Sequence, residues 1–219
     1  MILWGRKNSM NVQKVTWALE ELGIDCVRHD VAGSFGRTDT PEYMAMNPNK
    51  VVPTLQDGAL TLWESNAVVR YLARTYDNGT LLPADKAQAA LADQWMEWMT
   101  STLVPSFFKI FLNKIRLPDG NAALLAEGIA GCAQQYALLD QHLASNRYVA
   151  GTDFSMGDIP IGATLYRYFN MDIERPSLPN LEAFYARLCQ REAYAEHVMI
   201  PFGTNAAEWL QLEQAGAAD

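Results

Sequence analysis

The sequence predicts an α/β layer over residues 1–78 followed by an all-α bundle over 87–219, with 79–86 as the linker. Three observations carry this. Short β-type runs alternate with helical periods only in the first part. Asn78-Gly79 and the apolar, proline-bearing stretch Leu81–Ala84 then break the pattern. Beyond them the apolar residues recur at helical spacing. Leu91, Trp95, Trp98 and Met99 form one stripe; Leu124, Ile129, Cys132, Tyr136 and Leu139 form another.

Taken in order, Met1–Trp4 reads as a first strand. Ser9 stands ahead of a helix running to about Leu22, with Val12, Val15, Leu19 and Leu22 on one broad face and Gly23 as its stop. Ile24–Val31 reads as a second strand. Thr40-Pro41 starts a short helix, the threonine as cap and the proline with its φ already helical. Val51–Leu55 reads as a strand entered through Pro53. Asp57-Gly58 then turns the chain, and Ala59–Leu62 returns as a hairpin partner. Glu64–Tyr76 is helical and is expected to bury Val68, Tyr71 and Leu72. The order is β-α-β-α-β-β-α. Helices are then expected near 85–113, 121–144, 156–170 and 178–190, with a less regular tail. Before the third of these, Phe154-Ser155-Met156-Gly157-Asp158-Ile159 forms a capping box with a hydrophobic staple. Ser155 is expected to accept from the Asp158 N–H, and the Asp158 carboxylate to accept from the Ser155 N–H. This makes Asp158 structural.

Hydrophobic residues are 49% of the chain and charged ones 19%, which excludes a disordered polymer. The net charge is −8, from 17 basic and 25 acidic side chains. Residues 1–78 carry 8 and 9 of these, a net −1, so the acidity lies mainly in the second part. No Lys/Arg cluster is dense enough for a nucleic-acid face. No apolar run is long enough for a membrane span, and the N-terminal residues lack a secretory pattern. Cys26, Cys132 and Cys189 make a poor disulfide framework and fit a reducing, cytoplasmic setting. The three histidines (His29, His142 and His197) and the cysteines are too scattered for a metal site, and no Gly-rich strand–helix fingerprint points to a dinucleotide.

This arrangement resembles a cytosolic glutathione transferase over nearly the whole chain. The residues that carry the resemblance are Ser9 with Lys14 and Val15, Asn47-Pro48 through Val52-Pro53, Glu64-Ser65 with Tyr71-Leu72, and the Ser155–Asp158 box. It implies a thioredoxin-like N-terminal domain, a helical C-terminal domain and glutathione as co-substrate. Pro53 then matches the family's cis-proline, leaving the Val52 N–H and C=O to pair with the cysteinyl backbone of glutathione. Glu64 and Ser65 match the pair that holds the γ-glutamyl end, at a helix N-terminus whose free N–H groups suit a carboxylate. Lys50 is placed to meet the glycyl carboxylate. Ser9 matches the hydroxyl that donates to the glutathione sulfur and lowers its pKa; a simple N-cap is the other reading. Asn11 matches a second sulfur donor in some bacterial members, which lean toward disulfide reduction; it too has a capping alternative. The absence of cysteine from Gly5–Asn11 excludes a thioredoxin-type reactive thiol of the chain's own.

The family's electrophile site lies between the domains. Candidate walls are Trp4 or Arg6, Phe35, Phe107, Phe108 and Phe111, with Tyr166 and Phe169 approaching from a later helix, and Lys114 and Arg116 at the rim. Such walls suit small apolar electrophiles. The resemblance also implies a homodimer, with Asn66, Arg70 and Trp95 as interface candidates. Three functions stand at this point: conjugation of the glutathione thiolate to an electrophile, glutathione-dependent disulfide reduction, and binding without catalysis.

Overall fold

The computed structural model describes residues 1–77 and 79–216. The first part is a four-stranded sheet in the order β2-β1-β3-β4, built from β1 (Ile2–Trp4), β2 (Val27–His29), β3 (Thr54–Asp57) and β4 (Leu60–Trp63). β1 runs parallel to β2 and antiparallel to β3; β3 and β4 form the hairpin turned at Gly58. Helix α1 (Met10–Glu21) makes the crossover from β1 to β2, and α2 (Pro41–Met46) and α3 (Ser65–Tyr76) complete the layer. Val12, Val15, Val68 and Leu72 are fully buried with Leu3 and Leu55, so α1 and α3 share one apolar face of the sheet. The strands are shorter than their apolar runs. Only Val27–His29 of the expected Ile24–Val31 pairs as a strand, and β3 starts after the cis Val52–Pro53 peptide instead of at Val51. Pro53 has no N–H to give a ladder. Tyr71 is only half-buried, because its hydroxyl reaches out to donate to Asp57 Oδ2 at 2.7 Å.

The linker is held by one side chain. The Asp77 carboxylate accepts the backbone N–H groups of Gly79, Thr80, Leu81 and Leu82 at 2.8–3.2 Å. The second part follows as α4 (Lys86–Trp98), α5 (Val104–Phe111), α6 (Ala122–Leu143), α7 (Asp158–Asn170), α8 (Pro179–Cys189), α9 (Glu192–His197) and α10 (Ala206–Ala215). The expected single helix over 85–113 is continuous but widens twice into π-turns, at Met99–Leu103 and Leu112–Arg116. The first widening lies just before Pro105, which cannot donate to the i−4 carbonyl.

The capping box forms with one change. Ser155 N–H donates to Asp158 Oδ2 at 2.8 Å, but the Ser155 hydroxyl accepts from Gly157 N at 3.3 Å and not from Asp158 N. The Asp158 carboxylate also accepts from Val149 N at 2.9 Å, so it ties the loop before α7 to the helix. The Ser155 hydroxyl is a third donor to that carboxylate, at 3.2 Å, and burial pushes the Asp158 pKa up to about 7 against these three hydrogen bonds.

The two parts pack through α1 against α7 and α9. Trp17 on α1 is fully buried with its ring 4.8 Å from that of Tyr194 and 5.5 Å from that of Phe154. Opposite it stands Gly162 of α7; a Cβ there would lie 2.7 Å from the Trp17 ring. Glu21, at the end of α1, accepts both nitrogens of the Arg191 fork at 2.6 Å. Asn66, Arg70 and Trp95, expected at a dimer interface, are engaged within the chain. Asn66 donates to Met96 O and Thr100 Oγ1, Arg70 pairs with Asp93 and Glu97, and Trp95 is buried edge-on to Trp98.

Candidate active site

Between the two parts lies a cavity of about 210 Å³. One wall comes from the loop after β1 and the start of α1: Arg6, Asn8, Ser9 and Asn11. A second comes from Lys50, Val51 and Val52. The third comes from Phe108, Phe111, Arg116, Arg167 and Trp209 of the helical part. A larger cavity of about 820 Å³ lies on the other side of Arg116 and Trp209, lined by Ser34, Asn113 and Leu210. None of Ser9, Asn11, Lys50 and Val52 lines it, so the reactive groups belong to the smaller one.

Ser9 occupies the N-cap position of α1, with extended backbone (φ −74°, ψ 122°). Its carbonyl accepts from Gln13 N at 2.9 Å, but its side chain makes no capping hydrogen bond. The helix therefore does not engage the Ser9 hydroxyl. Two residues along, the Asn11 side-chain oxygen accepts from the Ser65 hydroxyl at 3.3 Å, which leaves its amide N–H groups for other acceptors. Ser65 opens α3, and its hydroxyl in turn accepts from Lys14 Nζ at 3.4 Å. Lys14 also donates to Asn66 Oδ1 and approaches the Met99 sulfur at 3.9 Å. Burial pulls its pKa down to about 7, with Glu64 the acid that opposes the fall. This chain of contacts joins α1, the N-terminus of α3 and the first π-turn.

On the opposite side, neither backbone polar group of Val52 has an intramolecular partner among the described residues. The preceding Val51 carbonyl is occupied by the Tyr43 hydroxyl and the Asn47 amide, at 2.7 and 2.9 Å. Lys50, at φ 57°, is exposed beside it.

The third wall is cationic and aromatic. Arg167 is buried, donates to Asn8 O at 2.5 Å and Gln13 Oε1 at 3.2 Å, and lies over the Phe111 ring at 4.6 Å. Arg116 lies 5.3 Å over Trp209. Arg6 meets Glu213 Oε2 at 2.7 Å, and Glu213 Oε1 accepts Ser34 N at 2.7 Å. Burial, and then the nearby charges of Arg6 and Arg116, lower the Arg167 pKa to about 9, still charged at neutral pH.

Comparison with known proteins gives the arrangement its family. Residues 1–74 match the glutathione S-transferase N-terminal domain and residues 91–192 the C-terminal domain. The chain belongs to the glutathione S-transferase family. It is 38% identical over 203 residues to glutathione S-transferase GstB of Escherichia coli, covering 91% of this chain and 98% of that one. It is 30% identical over 206 residues to glutathione S-transferase 3 of Zea mays, covering 90% and 92%. A theta-class glutathione S-transferase from Xanthomonas axonopodis pv. citri, solved with glutathione bound, superposes with a TM-score of 0.89 at 48% identity over 92% of this chain and 98% of that one. The match makes this a theta-like member of the family, with the thioredoxin-like domain first and the helical domain second.

Within this glutathione S-transferase, Arg6, Ser9, Asn11, Lys50, Val52, Phe108 and Phe111 meet at one cavity. Pro53 is cis beside it, and Ser65 lies behind Asn11. Glu64 is exposed at the N-cap of α3 with φ 69°, outside the cavity wall. The remaining expected walls fall elsewhere. Phe107 is fully buried behind Phe108, stacked 6.1 Å from Phe111. Phe35 sits in a 3₁₀ turn (Gly33–Phe35) and does not line the cavity. Tyr166 packs edge-on to Phe202, and Phe169 stacks on Tyr185. Trp4 donates to Gln56 across the sheet. Lys114 lines only the larger cavity.

Asn8, Arg167 and Trp209 are among the wall residues that escaped the sequence reading. Arg167 had a signal, as the only charge between Ile159 and Asn170. Cys132 is buried, with its thiol pushed up to about 12 by desolvation, and the three cysteines are free. Among the described residues no group of three or more His, Cys, Asp or Glu could hold a metal, and no helix is long and apolar enough to cross a membrane.

Proposed function

We propose that this protein binds glutathione between Lys50, Val52 and the N-terminus of α3, ionises the thiol beside Ser9, and conjugates it to a small electrophile seated against Phe108, Phe111 and Trp209. The observation that carries this is the Ser9 hydroxyl, which lines the interdomain cavity and makes no cap bond. A hydroxyl donating to sulfur favours the thiolate over the thiol, and each pKa unit is worth about 1.4 kcal/mol. The Arg167 and Arg6 charges near Asn8 act in the same direction. The thiolate sulfur then bonds to the electrophilic carbon, and the leaving group departs with its electron pair. Proximity and thiolate stabilisation supply the acceleration. The apolar rings suit an apolar body on the electrophile.

Titration calorimetry with reduced glutathione, followed by turnover of 1-chloro-2,4-dinitrobenzene, tests the reading. Saturable binding at one site per chain and a thioether product are expected. A folded protein that takes up no glutathione at millimolar concentration defeats it and favours a binding protein with other partners.

A second reading rests on Asn11, which stands beside Ser9 on the cavity wall. Here the bound thiolate attacks a disulfide sulfur, the S–S bond breaks, and one thiol leaves. A second glutathione thiolate then attacks the glutathione sulfur of the mixed disulfide, that S–S bond breaks, the remaining thiol leaves, and oxidised glutathione is formed. Identification of oxidised glutathione instead of a thioether as the product selects this reaction. We further propose a two-fold homodimer, checked by sedimentation equilibrium, and a reducing cytoplasmic setting, which the three free cysteines support.

A further inference from the structure

The cavity carries more positive charge on its walls than the protein neutralises. Arg6, Lys50, Arg116 and Arg167 all line it, and no aspartate or glutamate does. Glu213 lies behind the wall and is committed to Arg6 and to the Ser34 N–H. Arg167 is 3% exposed, and its polar partners, Asn8 O and Gln13 Oε1, are both neutral. Arg116 lies against the Trp209 ring, and neither it nor Arg167 has an ion-pair partner among the described residues. Two guanidinium groups, Arg167 buried and Arg116 half-buried, thus converge on Trp209 without a counter-charge. Burying a cation without an anion is costly, and an anion brought in by a ligand offsets that cost.

We propose that Arg116 and Arg167 anchor a carboxylate on the electrophile, so that the preferred second substrates are small aromatic or unsaturated carboxylates and not neutral molecules of the same shape. This rests on the conjugation reading above and names the substrate class for that site. Glutathione's own carboxylates are met elsewhere, at Lys50 and at the N-terminus of α3. The arginines belong to the helical part, across the cavity from those groups. A guanidinium fork fits a planar carboxylate through two parallel N–H bonds, which an ammonium does not reproduce. Phe108, Phe111 and Trp209 supply the apolar seat for the body that carries it.

The test compares 4-chloro-3-nitrobenzoate with its methyl ester. In both, the glutathione sulfur bonds to the ring carbon bearing chlorine, the C–Cl bond breaks, and chloride leaves with the electron pair. Only the acid carries the anion. For Arg116→Gln, kcat/KM on the acid is expected to fall about tenfold or more, mostly through KM, while the ester changes less than about threefold. Arg116→Lys should recover part of the loss on the acid alone. Glutathione affinity and the pKa of the bound thiol should stay as in the parent protein. Equal losses on acid and ester overturn the anchor, as does a loss on the acid that follows a raised thiol pKa, since the guanidinium then acts on the sulfur. Should the variant not fold, benzoate and benzamide serve as inhibitors of the unmodified protein. Benzoate is expected to compete with the electrophile at least about tenfold more strongly, and equal inhibition overturns the proposal. Failure to take up glutathione at all removes the conjugation reading and this proposal with it. Uptake with equal use of acid and ester removes only the anchor.

Discussion

The Ser65 hydroxyl donates to the Asn11 side-chain oxygen across 3.3 Å, joining the N-terminus of α3 to the first turn of α1. Ser65 also accepts from Lys14, so one hydroxyl links a buried cation to the residue beside Ser9. Ser65→Ala is expected to weaken glutathione binding about tenfold, the cost of one hydrogen bond to a charged group. The pKa of the bound thiol should move by less than about half a unit, because Ser65 does not touch the sulfur. Calorimetry and a thiolate absorbance titration check the two parts separately. Unaltered affinity would remove Ser65 from the ligand contacts.

Ser9→Ala should separate chemistry from stability. A capping serine usually contributes about 0.5–2 kcal/mol. Ser9 makes no cap bond through its side chain, so urea unfolding should show a loss of less than about 0.5 kcal/mol. The bound thiol should instead rise by about one pKa unit or more, with turnover at neutral pH falling in proportion. A large stability loss with an unchanged thiol titration would make Ser9 a helix cap after all.

Lys14 gives the protein a pH dependence of known sign. Its folded pKa is lowered to about 7, chiefly by burial, from an unfolded value of 10.5. Between those values the unfolded chain holds a proton that the folded chain does not. Stability therefore rises with pH across that window on account of this group, and its burial cost is fully felt below about pH 7. Lys14→Met removes the term. The variant's stability relative to the parent should be greatest near pH 6.5 and shrink toward pH 9.5, as read from urea midpoints in the two buffers. A difference that does not change with pH would show Lys14 to be charged throughout.

Gly162→Ala tests the joint between the domains. The added methyl would lie 2.7 Å from the Trp17 ring and 2.9 Å from Leu188, neither of which has room to withdraw from a fully buried site. Overpacking of this kind costs about 1–3 kcal/mol. Thermal unfolding should show the loss. Near-ultraviolet circular dichroism should report an altered Trp17 environment, with glutathione binding retained. An unchanged melting temperature would mean that α1 and α7 are free to part.

Local chemistry was easy to read from the sequence, and distant chemistry was not. Thr40-Pro41, Asp57-Gly58 and the Ser155–Asp158 box act over a few residues, and each appears in its place. Ser9, Asn11, Lys50 and Val52 were found through family likeness and do converge. The choice among Phe107, Phe108 and Phe111 was not legible. They share an apolar helix, and the π-turns at Met99–Leu103 and Leu112–Arg116 shift which face meets the cavity. Arg167 and Trp209 were missed because nothing beside them in sequence records what they meet across the fold. The three-residue β2 shows the same limit from the other side: an apolar run from Ile24 to Val31 says where a strand lies, but not how much of it finds a partner.

The return of α10 to the first part has a temporal meaning. Glu213 closes on the Ser34 N–H, 179 residues earlier in the chain, and Trp209 supplies one side of the cavity. During synthesis Ser9, Lys50 and Ser65 emerge long before either residue leaves the ribosome. The nascent protein therefore passes through a stage in which the groups that would bind the thiol stand open to solvent on one side. Closure of that side is a late, long-range event, because it waits on α10.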